Sequence, residues 1–265
     1  MIADLFAAYD ATGAGWQQGP GRIYDELAAV VVERSPALDE TSLVLDLGAG
    51  TGAAARAIRR RGAQVVALDA SLGMLLHACA DSVPCVGDAN ALPFKDDAFT
   101  AVVAAFSLNH VVAPVAALRE AARVVCNLGS LVVSTYAADD DHPAKRSVED
   151  AARSAGWIEP RWYCELRNHA MPQLSTVDRV LDAADQAGLV NATAEAVRVE
   201  FPELSSGDLV AWRLGMAHLA PFVTRLEPHR RSRLWHDAQE RLSGMPVLVR
   251  SIVILSARGA SVQRS

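Results

Sequence analysis

Lysine is almost missing from this chain of 265 residues: it occurs only as Lys95 and Lys145, and 31 acidic residues outnumber 25 basic ones for a formal net charge of −6. A surface that tracks phosphates needs clustered cations, so nucleic acid is not an expected partner. The one dense run, Arg59-Arg60-Arg61, closes a helix, where cations meet the negative end of its dipole. Cysteine is also scarce. The four residues at 79, 85, 126 and 164 lack C-x-x-C spacing, and Met1-Ile2-Ala3-Asp4-Leu5 has no signal-peptide pattern, so the expected setting is a reducing cytoplasm. The seven histidines lack H-x-x-x-H or HExxH spacing, and no metal site is expected. Uncharged stretches are few. Residues 98–118 form one, but Asn109, His110 and Pro114 interrupt it where a buried strand turns into a helix, so no membrane partner is expected.

What the chain does have is glycine in one telling place. Leu43-Val-Leu-Asp-Leu-Gly-Ala-Gly-Thr-Gly52 reads as a short apolar strand followed by a tight turn, and Ala53-Ala-Ala-Arg-Ala-Ile58 opens a helix. Such a turn brings backbone N–H groups and a helix N-terminus up to a ligand with no Cβ in the way. Gly48, Gly50 and Ala53 alone suit an NAD(P) site too. Asp46 tips the balance. It stands two residues before Gly48 at the carboxyl end of the strand, where its charge repels a pyrophosphate and attracts the ammonium and sulfonium of S-adenosylmethionine. Gln64–Asp69 reads as the next strand, its terminal Asp69 spaced to accept hydrogen bonds from ribose hydroxyls, a feature NAD enzymes share. No tyrosine has a lysine four residues on, so the proton-donor pair of short-chain reductases is missing.

Asp46-Leu-Gly-Ala-Gly-Thr-Gly52, Asp69-Ala70, Gly87-Asp88-Ala89 and Phe106-Ser-Leu-Asn-His110 together resemble, in order and spacing, the class I S-adenosylmethionine-dependent methyltransferases. The likeness covers roughly residues 40–136 and is nearest to small bacterial enzymes of cofactor and natural-product pathways. It implies a Rossmann-like, seven-stranded, mostly parallel sheet with helices on both faces and a helical cap or lid. It also implies S-adenosylmethionine as cofactor, S-adenosylhomocysteine as product, and a small organic acceptor methylated on O, N or C. The cofactor residues it implies are Asp46, Gly48, Ala49, Gly50, Gly52, Asp69, Ala70, Met74, Asp88, Ala89, Phe106 and Ser107, with Asp88 on the adenine amino group. Some members of the family act as cyclases or binding proteins, and that alternative stays open here.

Four parts are expected along the chain. Residues 1–40 form a helical lid with a glycine-rich break at 13–21, residues 41–136 the cofactor-binding core, 137–190 a connecting cap, and 191–265 the last strands with a helical insertion at about 203–243. Continuous apolar strands at 43–47, 64–68, 83–86, 100–106 and 130–135 alternate with helices at 53–61, 71–80, 114–125 and partly 90–91, which spells a parallel sheet covered on both faces. Further strands fall at 196–201 and 246–255, further helices at 145–155 and 174–188.

Aromatic residues are only 6% of the chain, so where they gather matters. The lid carries Tyr9, Trp16 and Tyr24 and the late insertion Trp212 and His218, all expected, with Asn109, to roof an apolar substrate chamber over the carboxyl ends of the strands. His110, just past the fourth strand, is the candidate base because imidazole titrates near neutrality; His142 and His169 read as loop residues.

Overall fold

The computed structural model describes residues 2–78, 80 and 82–259. Its centre is a seven-stranded sheet in the order β3-β2-β1-β4-β5-β7-β6. The strands are β1 (Leu43–Leu47), β2 (Gln64–Asp69), β3 (Val83–Val86), β4 (Phe99–Ala105), β5 (Val125–Tyr136), β6 (Val190–Phe201) and β7 (Leu248–Arg258). The first five pair in parallel, and β7 runs antiparallel between β5 and β6. Because side chains alternate across a pleated strand, Val44 and Val103 enter one buried layer while Leu45, Leu47 and Val102 enter the other.

Helices α3 (Gly21–Val32), α4 (Ala53–Arg60) and α7 (Pro143–Ser154) cover the first face, and α6 (Pro114–Val124) and α9 (Val177–Gln186) the second. Ile23, Leu27 and Val31 line up at helical spacing and are buried; full burial of each is worth about 2 kcal/mol. Thr176 caps α9 by accepting from the Arg179 N–H at 3.3 Å, the side-chain capture that ends orphan donors at a helix start. The sheet reverses direction of growth between β1 and β4, so a crevice opens beyond their carboxyl ends.

The chain before β1 folds into α1 (Ile2–Asp10), α2 (Gly13–Trp16) and α3. The expected break at Gly13–Gly15 is instead the start of a short helix, and Gly73 of α5 (Leu72–Leu75) explains its fit. A Cβ on Gly13 would stand 2.2 Å from the Gly73 carbonyl oxygen, and one on Gly73 would stand 2.3 Å from the Asp10 carbonyl oxygen. Only glycine permits that approach. The helix expected at 71–80 is short, ending at Leu75, and 90–91 holds a turn with a bridge from Asp88 to Ala91.

The insertion between β6 and β7 forms α10 (Ser206–Leu214), α11 (Ala220–Arg225) and α12 (Pro228–Arg241). Leu209, Val210, Trp212 and Leu234 bury themselves with Val148 and Ala152 of α7. This insertion therefore thickens the first layer and does not line the chamber described below. The roof comes from the segment between β5 and β6, namely α8 (Arg161–Glu165), a π-helical turn at Leu166–Ala170 and a tight turn at Met171–Leu174.

Candidate active site

Above β1 and β4 lies a cavity of about 560 Å³. Its floor is the β1–α4 turn. The Leu68 carbonyl accepts from the N–H groups of Gly48 at 2.7 Å and Ala49 at 2.9 Å, which turns the chain back toward β2. Gly48 has φ +75°, and a Cβ there would sit 2.2 Å from the Ser107 Cβ. Ser107 in turn donates its hydroxyl to the Leu47 carbonyl at 2.6 Å, so the two loops close on each other with no room for a side chain.

Two acids stand at this floor. Asp46 is buried and accepts from the Ala55 N–H at 2.8 Å, at the start of α4. Burial pushes its pKa up to about 7, against the pull of that hydrogen bond. Asp69 accepts from the Gly50 N–H at 2.8 Å through one oxygen and from the Ser71 N–H at 2.8 Å through the other; burial raises its pKa also. Each carboxylate oxygen keeps a lone pair for a ligand. Asp88 is exposed at the rim, held by the Asn90 N–H at 2.8 Å. Ala70, Met74, Ala89 and Phe106 complete the wall, with the Met74 methyl beside Gly50.

A buried acid that favours its ionised form only when a cation arrives, a ribose-spaced acid, and an apolar slot at Met74 fit S-adenosylmethionine. An anionic pyrophosphate at Asp46 does not fit as well.

The opposite end of the cavity is walled by Leu5, Phe6, Tyr9, Trp16, Tyr24, Trp162 and Leu166. The aromatic rings run as a chain: Tyr9 to Trp16 at 6.0 Å, Trp16 to Tyr24 at 5.1 Å, and Tyr24 edge-on to Phe106 at 5.8 Å. His110 faces the same space, with Nε2 3.1 Å from the Tyr9 hydroxyl. Desolvation lowers the His110 pKa to about 4, although backbone hydrogen bonds to Phe106 and Ser107 work in the other direction. The imidazole is neutral at pH 7.

Four of the expected site residues lie outside this cavity. Gly52 has φ +81° and caps α4, so its role is in the turn. Asn109 is buried under the tight turn at Leu108–His110, whose residues point about 120° apart, and faces away while Leu108 and His110 face in. Trp212 is 1% exposed and packs against the Arg250 guanidinium, 5.0 Å from the ring centre. His218 stacks on Tyr163 at 3.9 Å, with Nε2 3.6 Å from the Glu149 carboxylate that also binds Arg213.

Sequence reasoning missed the roof and the hook of the lid. Trp162, Leu166, Ala170 and Gln173 share one helical face over the cavity, and His169, expected in a loop, lies on that turn. Their spacing of four, four and three was the available signal; Pro160 before the segment and Pro172 within it masked it. His142 is not a loop residue either, because its Nδ1 caps α7 by accepting from the Ala144 N–H at 3.2 Å. The hook is Asp10, whose carboxylate accepts from the Ser71 hydroxyl at 2.6 Å and the Gly73 N–H at 2.8 Å. It ties the end of α1 to the residue two beyond Asp69.

A doubly wound sheet with an acid-lined glycine turn defines a nucleoside-cofactor protein of the Rossmann-like kind. Residues 45–133 match the family model described as a methyltransferase domain, and that match supports a class I S-adenosylmethionine-dependent methyltransferase. Among relatives, a demethylmenaquinone methyltransferase of Mycolicibacterium paratuberculosis is 41% identical over 137 residues, 51% of this chain and 58% of that one. The chain thus spans little more than half the length of the curated relatives it matches. Among solved structures, phosphoethanolamine N-methyltransferase 2 of Haemonchus contortus, bound to phosphomonomethylethanolamine and S-adenosylhomocysteine, has a TM-score of 0.61 at 16% identity over 95% of this chain and 58% of that one. The [4+2]-cyclase SpnF has a TM-score of 0.52 at 21% identity over 89% and 81%. Both share the fold.

Proposed function

We propose that this protein transfers a methyl group from S-adenosylmethionine to a neutral, planar, mostly apolar acceptor such as a phenol or hydroquinone. The observation that carries the reading is the character of the acceptor end. Its wall is mostly aromatic or aliphatic; Glu165, paired with Arg161, and His169 and Gln173 stand along the roof, and Tyr9 and His110 are both uncharged at pH 7. A phosphate would enter it with no lysine or arginine among the described lining residues to pair with, at a cost of several kcal/mol. A flat ring would instead lie along the Tyr9, Trp16 and Tyr24 faces. The demethylmenaquinone methyltransferases among the relatives, named for a quinone-class acceptor, support this choice.

The bound cofactor supplies an electrophilic methyl on a sulfonium. The protein's part is binding, alignment and drying. Asp69 and Ser71 hold the ribose side, Asp46 offers its charge to the cationic end, and Met74 packs against the base. Helix α1 and the 161–174 roof exclude water, which suits a reaction whose charge disperses as it proceeds.

Calorimetric titration with S-adenosylmethionine, S-adenosylhomocysteine and NAD should give binding for the first two alone. Asp69→Ala should weaken it by about 1–3 kcal/mol, since it removes charge-assisted hydrogen bonds, and Asp88→Ala by less because that side chain is exposed. Product mass after incubation with naphthols or naphthohydroquinones should rise by one methyl. Binding of NAD alone, or methylation only of amines, would overturn the reading.

A further inference from the structure

We propose that Tyr9 and His110 form a proton relay that is complete only when helix α1 is closed, with Tyr9 Oη, and not His110, as the atom that meets the acceptor. The inference rests on the acceptor class proposed above and extends it to a hydroxyl-bearing acceptor whose proton must leave.

The geometry carries the argument. Tyr9 belongs to the lid and His110 to the core, 101 residues apart, yet the hydroxyl lies 3.1 Å from Nε2. Their rings meet edge-on, 5.7 Å apart at 81°. Both line the cavity. A neutral imidazole has one nitrogen able to accept. With the Tyr9 hydroxyl donating to Nε2, that lone pair is engaged, and an acceptor in the chamber cannot reach it while the lid is shut. The oxygen of Tyr9 can be reached: among the described residues its hydroxyl has no other hydrogen bond, and a hydroxyl oxygen has two lone pairs. Burial holds the tyrosine in its neutral form, so it stands ready to donate.

The step balances without a further reagent. The acceptor O–H bond breaks and its proton passes to Tyr9 Oη as the Tyr9 proton passes to His110 Nε2. The electron pair released on the acceptor forms the new bond to the methyl, and the C–S pair returns to sulfur. One positive charge exists before the step, on sulfur, and one after it, on the imidazolium. A low-dielectric chamber tolerates a charge that moves far better than a second charge that appears. The surrounding ladder of Trp16 and Tyr24 holds the Tyr9 ring in position, so Tyr9 acts by touching the acceptor and His110 acts through Tyr9.

Two measurements test this, one independent of turnover. In the first, protein with ¹⁵N-labelled histidine is saturated with S-adenosylhomocysteine and titrated with 2-naphthol. The relay requires that naphthol shift the His110 Nε2 resonance in the wild type and not in Tyr9→Phe. An equal shift in Tyr9→Phe would mean that the acceptor reaches His110 directly, and no shift in either would mean that the two are not connected; both results sink the relay. In the second, Tyr9→Phe should lower kcat for methylation of a phenol by about 10²-fold, with KM for S-adenosylmethionine within a factor of two. His110→Gln should lower it similarly, and the double variant no further than the worse single one. Losses that multiply would overturn the relay. Intact S-adenosylhomocysteine binding in every variant separates failure of the relay from failure of the methyltransferase reading, which would show as no cofactor binding at all.

Discussion

With S-adenosylmethionine as the proposed ligand, Asp46 should make binding respond to pH. Its pKa in the free protein is pushed up to about 7 by burial, so below that pH it is mostly protonated, while a cationic ligand requires the carboxylate. Binding must then expel a proton. Affinity for S-adenosylmethionine should rise with pH, by at most about tenfold per unit, and level off above about 7. Calorimetry in two buffers of different ionisation enthalpy measures the released proton directly, and Asp46→Asn should flatten the profile. The same shift has the opposite sign for the unliganded fold: a carboxyl group raised in the folded state contributes less stability as pH climbs from the ordinary carboxylate range through 7. At this scale Asp46, Asp69 and Gly48 were legible in the sequence because the chemistry of a glycine turn needs them at fixed local offsets. Tyr9 beside His110, or Asp10 beside Ser71, joins residues 101 and 61 apart. No spacing rule connects them.

At the scale of elements, the lid is docked by glycine. Because a Cβ on Gly73 would collide with the backbone of Asp10, Gly73→Ala should push α1 off α5 and break the Asp10 hook. The expected result is faster proteolytic cleavage between residues 10 and 20 and cofactor binding weaker by about 1–3 kcal/mol, with the core intact by circular dichroism. Gly15→Ala, where a Cβ meets nothing within 4 Å, is the control and should change neither. Strands β1 to β4 followed from continuous apolar runs bounded by turn residues, and they came within a residue or two. The 161–174 roof did not, since Pro160 precedes it, Pro172 interrupts it and a π-turn shifts its phase. The 203–243 insertion misled in another way. Its aromatic residues suggested a substrate wall, but Trp212 is spent on covering Arg250 and α7, a distinction that only packing decides.

At the scale of the whole molecule, ligand should register as stability. A ligand that binds the folded state alone at 100 times its dissociation constant adds about 2.7 kcal/mol. For a chain of this size that amounts to a rise of roughly 5 °C in melting temperature. S-adenosylhomocysteine should produce that rise, NAD none, and Asp69→Ala should abolish most of it at the same concentration. The division of labour in the fold explains why the response should be global. The cavity draws on β1, β2, β4, α1, α5 and the 161–174 roof at once, so filling it joins the amino-terminal helices to the sheet. Fold class was readable from alternating strand and helix patterns alone. Which insertion would close the chamber was not, because both reach α1, where Leu5 and Ala8 cluster with Trp162 and Leu166 of one and Ala217 of the other, and only the first lines the cavity.

The Asp10 hook sets the order of events in time. It fastens the lid to Ser71, two residues beyond Asp69, so a cofactor whose ribose lay at Asp69 would enter and leave as the helix lifts. For the proposed methyl transfer the expected scheme is sequential, with cofactor first in and its remnant last out, which product-inhibition patterns check. Where lifting of the lid limits such a cycle, added glycerol should brake the steady-state rate while leaving the first turnover untouched.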